Sequence, residues 1–193
     1  MKSLSNISMV EKLSSQHQTH HFKCGKNSLD LFIRKYALIK QRADSSQTYV
    51  VHRGGMVIGY YSLSFSSVRR EDAPPTIQAE MPGNYPIPVM LFARFAVHRE
   101  FQGQGLGEAL LRDAFLRTIG ASEIGGLAAI LVDAIDEKVV AYYTRCGFIE
   151  CPVGDRKLMI SMKDVRANLL ESVQKLSEEP RKEYAAGVLL FSY

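Results

Sequence analysis

The sequence predicts an α/β (α+β) fold, with strands and amphipathic helices interleaved along one chain, and three stretches carry that reading. In the first, Leu91, Phe92, Phe95 and Val97 read as a strand, and Leu106, Leu110, Leu111, Ala114 and Phe115 recur afterwards at helical spacing. In the second, Thr48–His52 and Met56–Phe65 flank Arg53-Gly54-Gly55, a strand–turn–strand hairpin. In the third, the apolar run from Leu127 to Asp133 precedes a helical segment, Lys138–Arg145.

The remaining elements follow in order. Asn27 or Ser28 can cap a helix whose Leu29, Phe32, Ile33, Tyr36 and Ala37 face the core. Residues 71 to 88 hold five of the seven prolines and read as a loop. Ile87 to Val97 supplies the strand entering the glycine turn, Glu108 to about Ile119 the helix after it, and Ala128–Asp133 a buried strand. Gly147 fits a helix C-cap, with strands near Phe148–Glu150 and Lys157–Met162. Val165, Leu169, Leu170, Val173 and Leu176 give a last helix that Pro180 ends or kinks, and an apolar end runs from Ala185 to Tyr193.

Length and composition suit one core. With 193 residues and 46% hydrophobic content, a single domain over residues 1–163 is expected, with 164–193 as an extension of it. No apolar run approaches eighteen residues, and the first residues lack a signal-peptide hydrophobic region. Cys24, Cys146 and Cys151 form neither a disulfide framework nor a metal-binding pair, so a reducing cytoplasm is the expected location. His17, His20 and His21 invite a metal reading that no further ligand motif supports, and no metal is expected. Charge is uneven. Residues 1–70 carry eleven Lys/Arg against three acids, and the rest thirteen against seventeen. The basic third is compatible with an anionic partner such as RNA and equally with a solvated face.

The chemistry lies in Gln102-Gly103-Gln104-Gly105-Leu106-Gly107, between strand and helix. Glycine is a poor helix starter, so three at alternate positions call for another use. They expose backbone N–H groups at the positive end of a helix, an anion cradle. No Gly-Lys-Ser/Thr follows, which excludes a P-loop, and G-x-G-x-G departs from the dinucleotide spacing G-x-G-x-x-G. A glycine turn without a ligand is the bland alternative.

Gln-x-x-Gly-x-Gly from Gln102 to Gly107 resembles the acyl-coenzyme A loop of the GNAT N-acetyltransferases, whose backbone amides hold the coenzyme pyrophosphate. Ala141-Tyr142-Tyr143-Thr144-Arg145-Cys146-Gly147-Phe148 resembles the late helix and turn of that family. The resemblance covers about residues 20 to 162 and implies the GNAT fold, a central mixed, mostly antiparallel twisted sheet flanked by helices. It also implies acetyl-CoA as cosubstrate. On its register Tyr143 is the general acid, and Tyr142 a packing residue. A phenol with pKa near 10 is protonated at neutral pH and can protonate a departing thiolate. A Tyr packed in the core is the alternative. Backbone groups of Phe95, Ala96 and Val97 would hold the pantetheine arm and acetyl carbonyl. Amides of Gln102, Gly103, Gln104, Gly105, Leu106 and Gly107 would hold the pyrophosphate, with a side-chain contact from Gln102.

Phe22 to Ala37 and Pro86 to Val97 are further similar to GNAT toxins of bacterial toxin–antitoxin modules. That branch implies acetylation of the α-amine of aminoacyl-tRNA, which blocks translation. It also implies tRNA binding, a cognate DNA-binding antitoxin, a homodimer and no membrane partner. Arg94 is placed beside the substrate by the same run. An α-amine near pKa 8 loses its proton more readily than lysine, so no dedicated base is named. The alternatives are acetylation of a small amine or protein N-terminus, and a non-catalytic acyl-CoA-binding module.

Overall fold

The computed structural model describes residues 6 to 178. The apolar end from Ala185 to Tyr193 lies outside them. Seven strands form one sheet in the order β1-β2-β3-β4-β5-β7-β6. They are β1 (Glu11–Lys12), β2 (Gln47–Arg53), β3 (Met56–Val68), β4 (Ile87–Val97), β5 (Ala129–Asp133), β6 (Ile149–Glu150) and β7 (Lys157–Ser161). Only β4 and β5 pair in parallel, so the sheet is mixed and mostly antiparallel, as expected.

Both faces of this sheet are covered, and the period of two along each strand sorts residues between them. Val51, Ile58 and Tyr61 enter one core with Leu110, Leu111 and Phe115 of α4 (Leu106–Ile124). Their neighbours Val50, Val57 and Tyr60 enter a second core with Leu29, Phe32 and Ile33. Gly59 lets α4 come close: a Cβ there would stand 2.8 Å from Leu110 Cδ1 and 3.1 Å from Val51 Cγ1. The last helix, α6 (Met162–Glu178), returns to the α4 side through the fully buried Val165.

Three expectations change. The helix after Lys26 is α1 (Asn27–Leu31), a π-helical turn over Phe32–Tyr36, and α2 (Ala37–Arg42). The wider turn shifts the inward register by one residue, so Ala37 is buried while Tyr36 is 47% exposed. The proline-rich segment contains α3 (Pro75–Glu80), because Pro75 at the first helical position sacrifices no hydrogen bond. Helix α4 begins at Leu106 and runs on to Ile124, beyond the expected end. The tyrosine-bearing helix is α5 (Glu137–Arg145), capped by Asp136, whose Oδ1 accepts from the Val139 N–H at 3.0 Å.

Candidate active site

Strand β4 is held differently along its length. From Val89 to Phe92 it pairs with β3 on one side and β5 on the other. Beyond Phe92 the β5 ladder ends, while pairing with β3 continues to Val97 opposite Gly59. A register shift opposite Ser62 and Leu63 leaves Ala93 as an extra residue, a bulge that bends β4 where the two strands part.

Ladder alternation then decides which backbone groups are free. The His98 N–H donates to Ile58 O at 2.8 Å, so His98, Ala96 and Arg94 turn their backbone groups to β3. Phe95 and Val97 turn theirs into the gap. This corrects the expectation for Ala96, whose backbone faces β3 and whose side chain packs in the core on the α1 side. The gap is a cavity of about 480 Å³. Arg94, Phe95, Val97, Gln102, Gly103, Gly107 and Tyr143 line it; Ala96, Gln104, Gly105 and Leu106 do not.

At one end of the cavity stands the glycine turn. Gly103 and Gly105 have φ of +71° and +80°, and a Cβ on either would meet nothing within 4 Å. The turn is thus open on the side where side chains are missing. Gly105 is the N-cap of α4 and offers no side chain, and the first α4 bond is Ala109 N–H to Gly105 O at 3.1 Å. The amides of Leu106, Gly107 and Glu108 therefore lack partners within the helix. Such a turn fits an anion such as a pyrophosphate. Gln102 behaves differently from expectation. Its Nε2 donates to Val97 O at 2.9 Å and to Cys24 O at 3.0 Å, so it braces the turn against the segment before α1.

Two tyrosines stand side by side on α5, and burial separates their roles. Tyr142 Oη is sealed from solvent without a well-directed partner, behind Gly107 and beside Cys146. Tyr143 is only 4% exposed and its ring packs on Phe92 and Phe148, yet its hydroxyl is not sealed and has no hydrogen-bond partner among the described residues. Burial pushes the Tyr143 phenol above its ordinary pKa, with neighbouring Tyr142 and Cys146 adding to the shift. The hydroxyl therefore keeps its proton at neutral pH, in the wall of the cavity.

The opposite wall comes from α1. Ser28 and Leu29 line it, and the Arg94 guanidinium lies over the Phe32 ring with 5.5 Å to the centroid. Arg94 also donates to Ala93 O at 2.6 Å and has no carboxylate partner among the described residues. Among the described residues Asp133 is the one carboxylate in the lining, and Lys157 Nζ occupies it at 2.7 Å. No free base therefore faces the cavity from the described residues. Lys26 Nζ meets Asp136 Oδ2 at 3.0 Å, joining the residues that precede α1 and α5. No local motif could reveal that pair, since 110 residues separate its members.

The histidines divide. His17 joins Glu11 and His52 in a cluster whose ligand atoms lie within 4.8 Å, a grouping drawn from three segments and missed in the sequence. Each ring accepts a backbone N–H at Nδ1, from Ser14 at 2.9 Å and from Gly55 at 3.2 Å. The neutral rings therefore carry their protons on Nε2 and donate them to Glu11 Oε1, at 2.7 and 2.9 Å. A metal would need those same nitrogens unprotonated. The cluster is a clip between β1, β2 and the following loop, and these bonds hold the Glu11 carboxyl below its usual range.

Comparison with known proteins agrees with this geometry. The family model for an acetyltransferase (GNAT) domain matches residues 44–150. A tRNA-acetylating toxin of Mycobacterium tuberculosis (strain ATCC 25618 / H37Rv) is 40% identical over 164 residues, covering 85% of this chain and 98% of that protein. Among solved structures, AtaT complexed with acetyl-methionyl-tRNAfMet superposes with a TM-score of 0.76 at 27% identity, covering 84% of this chain and 99% of the other. A Tyr-to-Phe mutant of the AtaT toxin, bound to the C-terminus of the antitoxin AtaR and acetyl-CoA, superposes with a TM-score of 0.72 at 25% identity, covering 85% and 98%.

Proposed function

This chain belongs to the GNAT acetyltransferase family and is an N-acetyltransferase; from that premise we propose that it transfers acetyl from acetyl-CoA to the α-amine of aminoacyl-tRNA and so stops translation. The observation that carries the donor half is the parting of β4 from β5 beside an open glycine turn. The acceptor half is supported by the tRNA-acetylating relative and the AtaT complex with acetyl-methionyl-tRNAfMet.

Each residue has a distinct task. The free backbone groups of Phe95 and the Val97 N–H hold the pantetheine arm and the acetyl carbonyl as a strand-like partner would, while Gln102 occupies the Val97 carbonyl. Amides from Gly103 to Gly107 hold the pyrophosphate. Gln102 keeps that turn against Val97 and Cys24. The acceptor amine enters from the α1 wall, beside Arg94. Its nitrogen bonds to the acetyl carbon as the carbon–sulfur bond breaks. Tyr143 gives its proton to the departing sulfur and is reprotonated from solvent. The product amine sheds its surplus proton to water, and an α-amine near pKa 8 is already partly neutral at pH 7.

A blocked α-amine cannot form a peptide bond, which makes the product a dead end for the ribosome. AtaT binds an antitoxin, AtaR, and a cognate antitoxin with DNA-binding activity is proposed for this chain. Its site of action is the cytoplasm, where charged tRNA is used. No helix among the described residues is long and apolar enough to cross a membrane.

The test is a panel of acceptors with acetyl-CoA: a mixture of charged tRNAs, the same tRNAs uncharged, polyamines, and peptides with free N-termini. Acetyl should appear on the aminoacyl group of charged tRNA, and faster than on any other acceptor. Preference for a polyamine or a peptide would replace this reading with the small-amine or N-terminal one.

A further inference from the structure

The coenzyme cleft has a neighbour on the other side of the β4–α4 turn. A second cavity of about 870 Å³ is lined by His20, His21, Lys23, Arg53, His98 and Arg99, with Glu100 the one carboxylate in its lining among the described residues. These residues come from three segments: the stretch before α1, the end of β2, and the exit from β4. In the sequence the basic residues of the first seventy positions look scattered, and the fold gathers only some of them. Lys26 is taken by Asp136, Arg34 donates to Phe22 O beside Asp30, and Arg69 is taken by Asp72. Lys23, Arg53 and Arg99 have no carboxylate partner among the described residues.

We propose that this second cleft holds phosphodiester groups of the RNA acceptor, with Lys23, Arg53 and Arg99 as the contacting cations. This rests on the tRNA reading above. Three cations facing one space repel each other, and a polyanion relieves that repulsion while releasing its counterions. The rings of His20 and His21 lie 3.7 Å apart and both are exposed, an aromatic platform of the kind on which unpaired bases stack. The site is also preorganised. Arg99 N–H donates to Lys23 O at 2.8 Å, and Phe22 meets the His98 ring edge-on at 5.9 Å. The volume suits a nucleotide or two.

Position makes the two clefts one path. Gln102 lines the coenzyme cleft and bonds Cys24 O, the residue after Lys23. An RNA whose aminoacyl end reaches Tyr143 past the α1 wall can lay its upstream phosphates along Cys24 and Lys23 into the second cleft.

The test compares wild type with Lys23→Gln, Arg53→Gln and Arg99→Gln, singly and combined, with thermal melts as a folding control. Two acceptors are used, charged tRNA and a small phosphate-free aminoacyl ester. Each single change should raise KM for charged tRNA several-fold and lower the salt slope of RNA binding by about one. The triple variant should keep wild-type KM for acetyl-CoA and wild-type turnover of the ester. An unchanged KM for charged tRNA in the triple variant would overturn the inference. So would a rise in KM for acetyl-CoA in its place, which would assign the cleft to a coenzyme phosphate. A wild type that acetylates the ester but never charged tRNA overturns the substrate reading, and the inference with it.

Discussion

The two clefts beside the β4–α4 turn are built from different materials. The coenzyme cleft is made by backbone: a bulge at Ala93, an edge from Phe95 to Val97 that β5 no longer pairs, and a turn whose glycines leave amides bare. The basic cleft is made by side chains, with cations and imidazoles converging from three distant segments. Backbone recognition suits a donor that never varies, because amide positions are fixed by the fold. Side-chain charge suits a large polyanion, whose phosphates are alike and need attraction more than exact fit. The difference predicts that damage to one cleft leaves affinity for the other substrate intact.

The largest effect should come from the residue proposed as the acid. Tyr143→Phe removes only the hydroxyl from a tightly packed ring, and kcat should fall by about 10²–10³-fold. Acetyl-CoA binding, measured by calorimetry, should stay at wild type. Near-normal turnover would remove Tyr143 as the acid. The pH profile sharpens the same point. Burial raises this phenol's pKa, so it stays protonated through and above neutrality. For the wild type, kcat/KM should rise as the acceptor amine deprotonates near pH 8 and then hold level to about pH 9.5. A falling limb below that pH would show that the acid ionises earlier than its burial allows.

Next comes the turn. Gly105→Ala places a side chain at φ +80° with no neighbour to clash with, so its cost is purely conformational, about 1–2 kcal/mol. The loop should relax and misdirect its amides, raising KM for acetyl-CoA about tenfold at unchanged kcat. An equal rise in KM for charged tRNA would break the division between the clefts. Gly59→Ala is the packing control. Its Cβ would press on Leu110 and Val51, and stability should drop by about 1–3 kcal/mol in a denaturant melt. Both Michaelis constants should survive in the folded fraction. Lys26→Met should do least. The Lys26–Asp136 pair joins an exposed side chain to a half-buried one and is screened by water, so the melting midpoint should not move measurably.

How far the sequence could lead depended on whether a feature was contiguous. Gln102 to Gly107 and Tyr142 to Phe148 are local: the glycines themselves suggest a cradle, and the resemblance to the GNAT family implies the acid at Tyr143. The hairpin and the α4 stripe were legible for the same reason, since period and turn chemistry are local properties. Ala96 shows where this stops: only the pairing with β3 tells which of three consecutive residues turns its amide away. The outward Tyr36 needed a π-helical turn that helical spacing does not announce. The Glu11–His17–His52 clip and the basic cleft depend on side chains joined by tertiary structure alone. Charge counting detected the excess of cations in the first seventy residues, but not which would remain unpaired.

The most direct test of the account crosses the two clefts with the two substrates. Steady-state constants for acetyl-CoA and for charged tRNA are measured in wild type, Gly105→Ala, the Lys23/Arg53/Arg99→Gln triple variant and their combination. Gly105→Ala should raise only the acetyl-CoA constant, the triple variant only the tRNA constant, and the combination both by the same factors. Crossed effects, with either variant shifting the constant of the other substrate, would contradict the division between the clefts.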